Sequence, residues 1–83
     1  MTLNDLPMPA ARGQRYRIDR LIEQRAHTEA SLRRLEEMGL FPGAELEVMG
    51  RLPFQGPWIV CLGATSFALR ADEAALLEIS KLS

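Results

Sequence analysis

The stretch Leu35-Glu36-Glu37-Met38-Gly39-Leu40-Phe41-Pro42-Gly43-Ala44-Glu45-Leu46-Glu47-Val48 changes its hydrophobic period halfway along, and that change decides the fold. Up to Met38 the apolar residues Leu32, Leu35 and Met38 recur at helical spacing and share one face. From Glu45 onward apolar and charged residues alternate, as in a half-buried strand. Between the two, Gly39 stands where a helix C′ residue needs a left-handed backbone. Leu40 is then placed to fold back on the last turn in a Schellman ending. Phe41-Pro42-Gly43-Ala44 puts proline at the second and glycine at the third position of a turn, the signature of type II. Gly39, Pro42 and Gly43 are therefore structural residues of the cap and turn.

Working outward from this reversal, the helix is expected over Thr28 to Met38, with Thr28 as N-cap and Glu29 in the first turn, where the helix dipole favours a carboxylate. Before it, Gln14 to Leu21 alternates, with Tyr16 and Ile18 on one side and Arg15, Arg17 and Asp19 on the other, which predicts a strand. Residues 1–13, with Pro7, Pro9 and Gly13, read as an irregular lead-in, and residues 14–83 as the folded domain. After the reversal a strand is expected over Glu45 to Leu52, with Leu46, Val48 and Leu52 inward. A loop follows over Pro53 to Pro57. Trp58 to Leu62 and Ser66 to Leu69 are short strands joined by a turn at Gly63 to Thr65. Ala71 to Ala75 reads as a single helical turn, and Leu77 to Leu82 as a last strand.

Short strands at this spacing predict a small barrel, whose closure removes the exposed edges that invite aggregation. The fold class is mainly β with one helix, an SH3-like five-stranded barrel with the helix packed over one opening. Its core should hold Tyr16, Ile18, Leu32, Leu35, Leu46, Val48, Trp58, Val60, Leu62, Phe67, Leu69, Leu77 and Ile79.

With 83 residues the chain has room for one domain and a modest core, and little for a catalytic cleft besides. Its 47% hydrophobic content marks a globular chain, and its net charge of -1 gives no general attraction to phosphate, so nucleic acid is not an expected partner. One cysteine cannot form an intrachain disulfide, which fits a reducing cytoplasm. No apolar run reaches the length of a membrane span, so direct membrane insertion is not expected.

Catalytic chemistry finds no support either. His27, at the mouth of the helix, and Cys61, in a strand, are the sole members of their kinds, and their spacing does not bring them together. The two cannot furnish the usual zinc site, so neither a metal nor a cofactor is assigned. Glu45 with Glu47, Asp72 with Glu73, or a site shared between chains are the remaining routes to transition-metal binding. Gly39 and Gly43 fit neither phosphate-binding fingerprint. No enzyme activity is expected.

The run Leu35 to Gly43 resembles the "L-x-x-L/M-G-L-x-P-G" signature of the ferrous iron transport protein A family. Glu45-Leu46-Glu47-Val48 is similar to that family's "x-I/L-x-V" strand. Pro53, Pro57, Leu69-Arg70, Glu73-Ala74 and Leu77-Glu78-Ile79 match its later landmarks. The resemblance covers most of the chain beyond the first dozen residues. It implies a small cytoplasmic SH3-like accessory that acts by binding the membrane ferrous iron transporter and its GTPase domain. The alternative it raises is a metal-responsive regulatory domain, because iron- and manganese-dependent repressors carry the same fold at their C-terminus.

Two departures stand out. Gln55-Gly56-Pro57 replaces the family's frequent Gly-Asp-Pro, and Ile59 and Cys61 occupy positions where that family commonly carries charge. If Trp58, Val60 and Leu62 face inward, Ile59 and Cys61 face outward beside Met49, with Phe54 at the loop tip. Such an apolar patch on the outer hairpin face marks a contact. Met49, Phe54, Ile59 and Cys61 are the candidate partner-binding residues, for the transporter or for a homo-oligomer. The competing occupant of that face is the chain's own Met1 to Pro9 segment.

Overall fold

In the computed structural model, which describes residues 1–7, 12–23 and 28–82, the reversal reads as its chemistry dictates. The helix α1 spans Thr28–Glu37. The N–H of Leu40 donates to Leu35 O at 2.9 Å and that of Gly39 to Glu36 O at 3.0 Å, the paired bonds of a Schellman ending. Gly39 has φ +91° and Gly43 φ +94°, and Ala44 N donates to Phe41 O at 3.0 Å, closing the type II turn. Leu40 folds back into the core and is fully buried. His27 and the capping role given to the Thr28 side chain lie outside the described residues.

The strands are β1 (Gln14–Leu21), β2 (Glu45–Arg51), β3 (Trp58–Leu62), β4 (Thr65–Leu69) and β5 (Leu77–Lys81), with the helical turn α2 (Ala71–Ala74) between the last two. They form one antiparallel sheet in the order β4-β3-β2-β1-β5, the strongly curled five-strand arrangement of an SH3-like barrel. Alternation sets the core. Tyr16, Ile18, Leu46, Val48, Trp58, Val60, Leu69, Leu77 and Ile79 are buried from the strands and Leu35 from α1, with Leu32, Leu62 and Phe67 packed against them.

Two features depart from the alternating pattern. The first is in β2, which ends at Arg51, and where Leu52 is 49% exposed rather than inward. The ladder pairs Val48 with Val60 but Gly50 with Ile59 and Arg51 with Trp58, so one extra residue is inserted between Val48 and Gly50. A bulge flips the phase of everything beyond it. Arg51 therefore takes the inward phase, its guanidinium 5.0 Å from the centroid of the Trp58 ring, and Leu52 is turned out.

The second departure is at the N-terminus. Residues of the expected lead-in join the core: Leu3, which opens a 3-10 turn at Leu3–Asp5, and Leu6, which follows it, are buried. Asn4 locks this segment in place. Its Nδ2 donates to Ala71 O at 2.7 Å, and its Oδ1 accepts from Trp58 Nε1 at 2.9 Å. Thr2 bridges to Glu78, and Ile79 N donates to Met1 O at 2.7 Å, so residues 1–2 line the free margin of β5.

Polar ties complete the frame. Glu73, only 3% exposed, accepts the Arg70 backbone N–H at 3.0 Å and pairs with Arg34, joining α2 to α1. Asp19, where the β1–β5 register shifts, accepts from the Ser80 hydroxyl and the Arg17 guanidinium, which together hold its carboxyl below the ordinary aspartate range.

The two glycines should separate in stability measurements. Gly43→Ala faces open space and should cost about 1 kcal/mol for its positive φ alone. Gly39→Ala should cost more in urea unfolding, because its Cβ would also lie 2.8 Å from Leu62 Cδ2. For Asp19, a lowered pKa means stability present above the ordinary aspartate range and lost as pH falls through the lowered value. Ser80→Ala should move the Asp19 carboxyl titration upward by NMR.

Candidate functional site

The β2–β3 hairpin carries the four candidate contact residues. Ile59 and Cys61 sit two apart on β3 and share its outward face, and both are half-buried. Met49 is the inserted residue of the bulge, half-buried and across from Ile59 through the Gly50 pairing. Cys61 lies opposite Glu47, its Sγ 3.3 Å from Ser66 Oγ. Leu52, which simple alternation puts inside, is turned outward by the bulge and adds to this face. Gly50 inside an alternating strand was the available signal, since a mid-strand glycine often marks a bulge.

The hairpin tip presents the fourth residue. Phe54 is 102% exposed, and Phe54 and Gln55 adopt φ +60° and +56°. Two successive left-handed residues, with Gly56 N donating to Pro53 O at 3.2 Å, make a type I′ turn. That turn favours Asn-Gly, and a left-handed conformation costs other residues about 1–2 kcal/mol each. Arg51 holds it in place. Its Nε donates to Gly56 O at 2.9 Å and its Nη2 to Gln55 O at 3.2 Å, while the guanidinium lies over Trp58. The side chain that the bulge turned inward thus fixes the loop that carries Phe54. The recognition chemistry of this face is burial of apolar surface on a preset backbone.

Beyond the bonds of their own turn, residues 1–7 hydrogen-bond to the margin of β5, to the Trp58 indole and to Ala71 O, and the remainder of the Met1 to Pro9 segment lies outside the described residues. Gly39, Pro42 and Gly43 stand at the helix cap and turn. Two shallow depressions lie elsewhere, one of about 200 Å³ beside the Arg34–Glu73 pair and one of about 460 Å³ beside Gln14, Arg15 and Glu45. Among the described residues no three His, Cys, Asp or Glu side chains converge as a metal-binding group. No described helix is long and apolar enough to cross a membrane.

A five-stranded antiparallel barrel with one main helix, a short helical turn before the last strand and an apolar hairpin face defines a small SH3-like domain. The FeoA domain family model matches residues 1–81, and the chain belongs to that family, which is associated with ferrous iron transport. No curated protein matches it significantly. Among solved structures, the zinc complex of Stenotrophomonas maltophilia FeoA is 31% identical, covering 96% of this chain and 89% of that one, with a TM-score of 0.76. That protein is described as a prokaryotic SH3 domain with a suggested role as a ferrous iron transport activating factor. Iron(II) transport protein A of Clostridium thermocellum is 30% identical over 99% of this chain and 46% of that one, with a TM-score of 0.77. The manganese regulator SloR shares the fold at 18% identity and a TM-score of 0.76, this chain matching 34% of its length.

The strained tip yields a prediction. Replacing Phe54-Gln55 by Asn-Gly should stabilise the isolated chain by about 1–2 kcal/mol in urea unfolding, since the turn is retained and its strain relieved. An unchanged or lowered midpoint would show that the left-handed pair stores no strain.

Proposed function

We propose that this chain is a non-catalytic cytoplasmic accessory of ferrous iron uptake. It binds the membrane ferrous iron transporter, through that protein's GTPase domain, with the outer face of the β2–β3 hairpin. The observation that carries the reading is Phe54, a fully exposed aromatic on a strained turn that Arg51 fixes from behind. A solvated loop gains nothing from that arrangement, whereas a pre-set aromatic anchor lowers the ordering cost of binding and is a common source of interface energy. Met49, Ile59 and Cys61 flank it on the hairpin, and Leu52 extends the apolar area.

The family membership supplies the transport context, and Ile59 and Cys61 present apolar side chains where the resemblance implies charge. The suggested activating role of the Stenotrophomonas protein agrees with an accessory that acts by contact.

Two substitutions test the reading on folded protein. Phe54→Ala should weaken binding to the purified transporter or its GTPase domain about tenfold or more, the loss of one anchor. Ile59→Glu should weaken it comparably, and the strand should tolerate the glutamate. Both variants retaining the wild-type circular dichroism spectrum and wild-type affinity would remove the hairpin face from the interaction.

A further inference from the structure

The two margins of the sheet are treated differently. At β5 the free margin is lined by the chain itself, through the Thr2–Glu78 bridge and the Ile79 N–H bond to Met1 O. At β4 no described residue pairs with the outer edge: the sheet order ends there, and neither Ser66 nor Ala68 makes a backbone bond to a described residue beyond the sheet. An uncovered edge is ordinarily blunted by charge, proline or a bulge. Thr65-Ser66-Phe67-Ala68-Leu69 has no charge and no proline, and its register with β3 runs without a shift.

The register says which groups are free. The two-residue turn Gly63-Ala64 makes Leu62 and Thr65 a hydrogen-bonded pair, so Thr65, Phe67 and Leu69 bond toward β3. Ser66 and Ala68 then direct their N–H and C=O groups away from the sheet. Both residues are exposed, as is Thr65.

We infer that the β4 edge is a self-association site that takes the β4 edge of a second copy of this chain, antiparallel and two-fold symmetric about Phe67. This register is self-complementary. Ser66 of one copy faces Ala68 of the other as a hydrogen-bonded pair, and the symmetry repeats it, so all the free groups of Ser66 and Ala68 on both copies are satisfied. The two Phe67 residues form the central non-hydrogen-bonded pair, where cross-strand side chains approach most closely. No charged side chain of either strand meets a like charge. A strand of five residues buries less than a standard interface, so the dimer is weak, with half-saturation on the order of 0.1 mM. The inference does not depend on the hairpin-face reading, and Phe54→Ala should leave it unchanged.

Sedimentation equilibrium from about 10 μM to about 1 mM chain tests it, a range that brackets the expected dissociation constant. Ala68→Pro removes an outward N–H and no bond to β3, a position where an edge strand accepts proline. It should raise the dimer dissociation constant at least tenfold. Should that variant misfold, Ser66→Lys with Ala68→Lys sets lysines opposite one another across the two-fold and should do the same. Ser66→Glu with Ala68→Lys sets opposite charges there and should dimerise at least as tightly as wild type. The proposal is overturned if wild type stays monomeric throughout, if the double-lysine variant dimerises as tightly as wild type, or if β4 takes up an added extended peptide while the chain remains monomeric.

Discussion

Ile18 donates its backbone N–H to Ala44 O and accepts from Gly43 N, both at 2.8 Å, and this exchange ties the centre of β1 to the turn that ends the helix connection. The turn can present those groups only with Gly43 in the left-handed region, and the helix can reach the turn only with Gly39 there too. Much of the barrel follows from this geometry. It fixes where β2 starts against β1, and so the phase that sends Leu46 and Val48 to the same core as Ile18. It drops Leu40 into that core directly below the last turn of α1.

The bulge in β2 links core to surface. One inserted residue makes Arg51 rather than Leu52 the partner of Trp58. An arginine in that position could be a liability, because its charge sits over the most deeply buried aromatic of the sheet. The guanidinium resolves this by stacking on the ring while its N–H groups satisfy loop carbonyls, so the charge is never left without partners. The same side chain therefore seals the core and sets the conformation of an exposed loop. A change at Arg51 would reach the Phe54 surface through the backbone rather than by contact.

Burial of Trp58 also depends on the N-terminal segment. Its indole N–H is satisfied by Asn4, whose amide in turn holds the backbone of α2. A buried indole donor without a partner would cost roughly 1–3 kcal/mol. Leu3 and Leu6 join the common core cluster, so residues 1–7 supply both a polar partner for Trp58 and buried apolar surface. By lining β5 they also distinguish its margin from that of β4, which no described residue covers, an asymmetry that the strand sequences do not announce.

The sequence alone determined what rests on local backbone chemistry and short periodicity. Gly39, Pro42 and Gly43 announced the cap and turn, and alternation along residues 14–21 and 58–62 gave the inward residues and the outward placement of Ile59 and Cys61. Together they gave the order of elements, since each such signal is written within a few neighbouring residues. Tertiary structure alone decided the rest. Arg51 and Leu52 exchanged sides because an inserted residue is defined only against the strand opposite. Leu3 and Leu6 entered the core with Asn4, which meets the Trp58 N–H and a carbonyl of α2. Glu73 could be buried because Arg34, 39 residues away, was brought to its carboxylate. For Trp58 and Glu73 the deciding atom lies far along the chain, and the cost of leaving a polar group unpaired or an apolar one in water is set only once the fold brings that atom near.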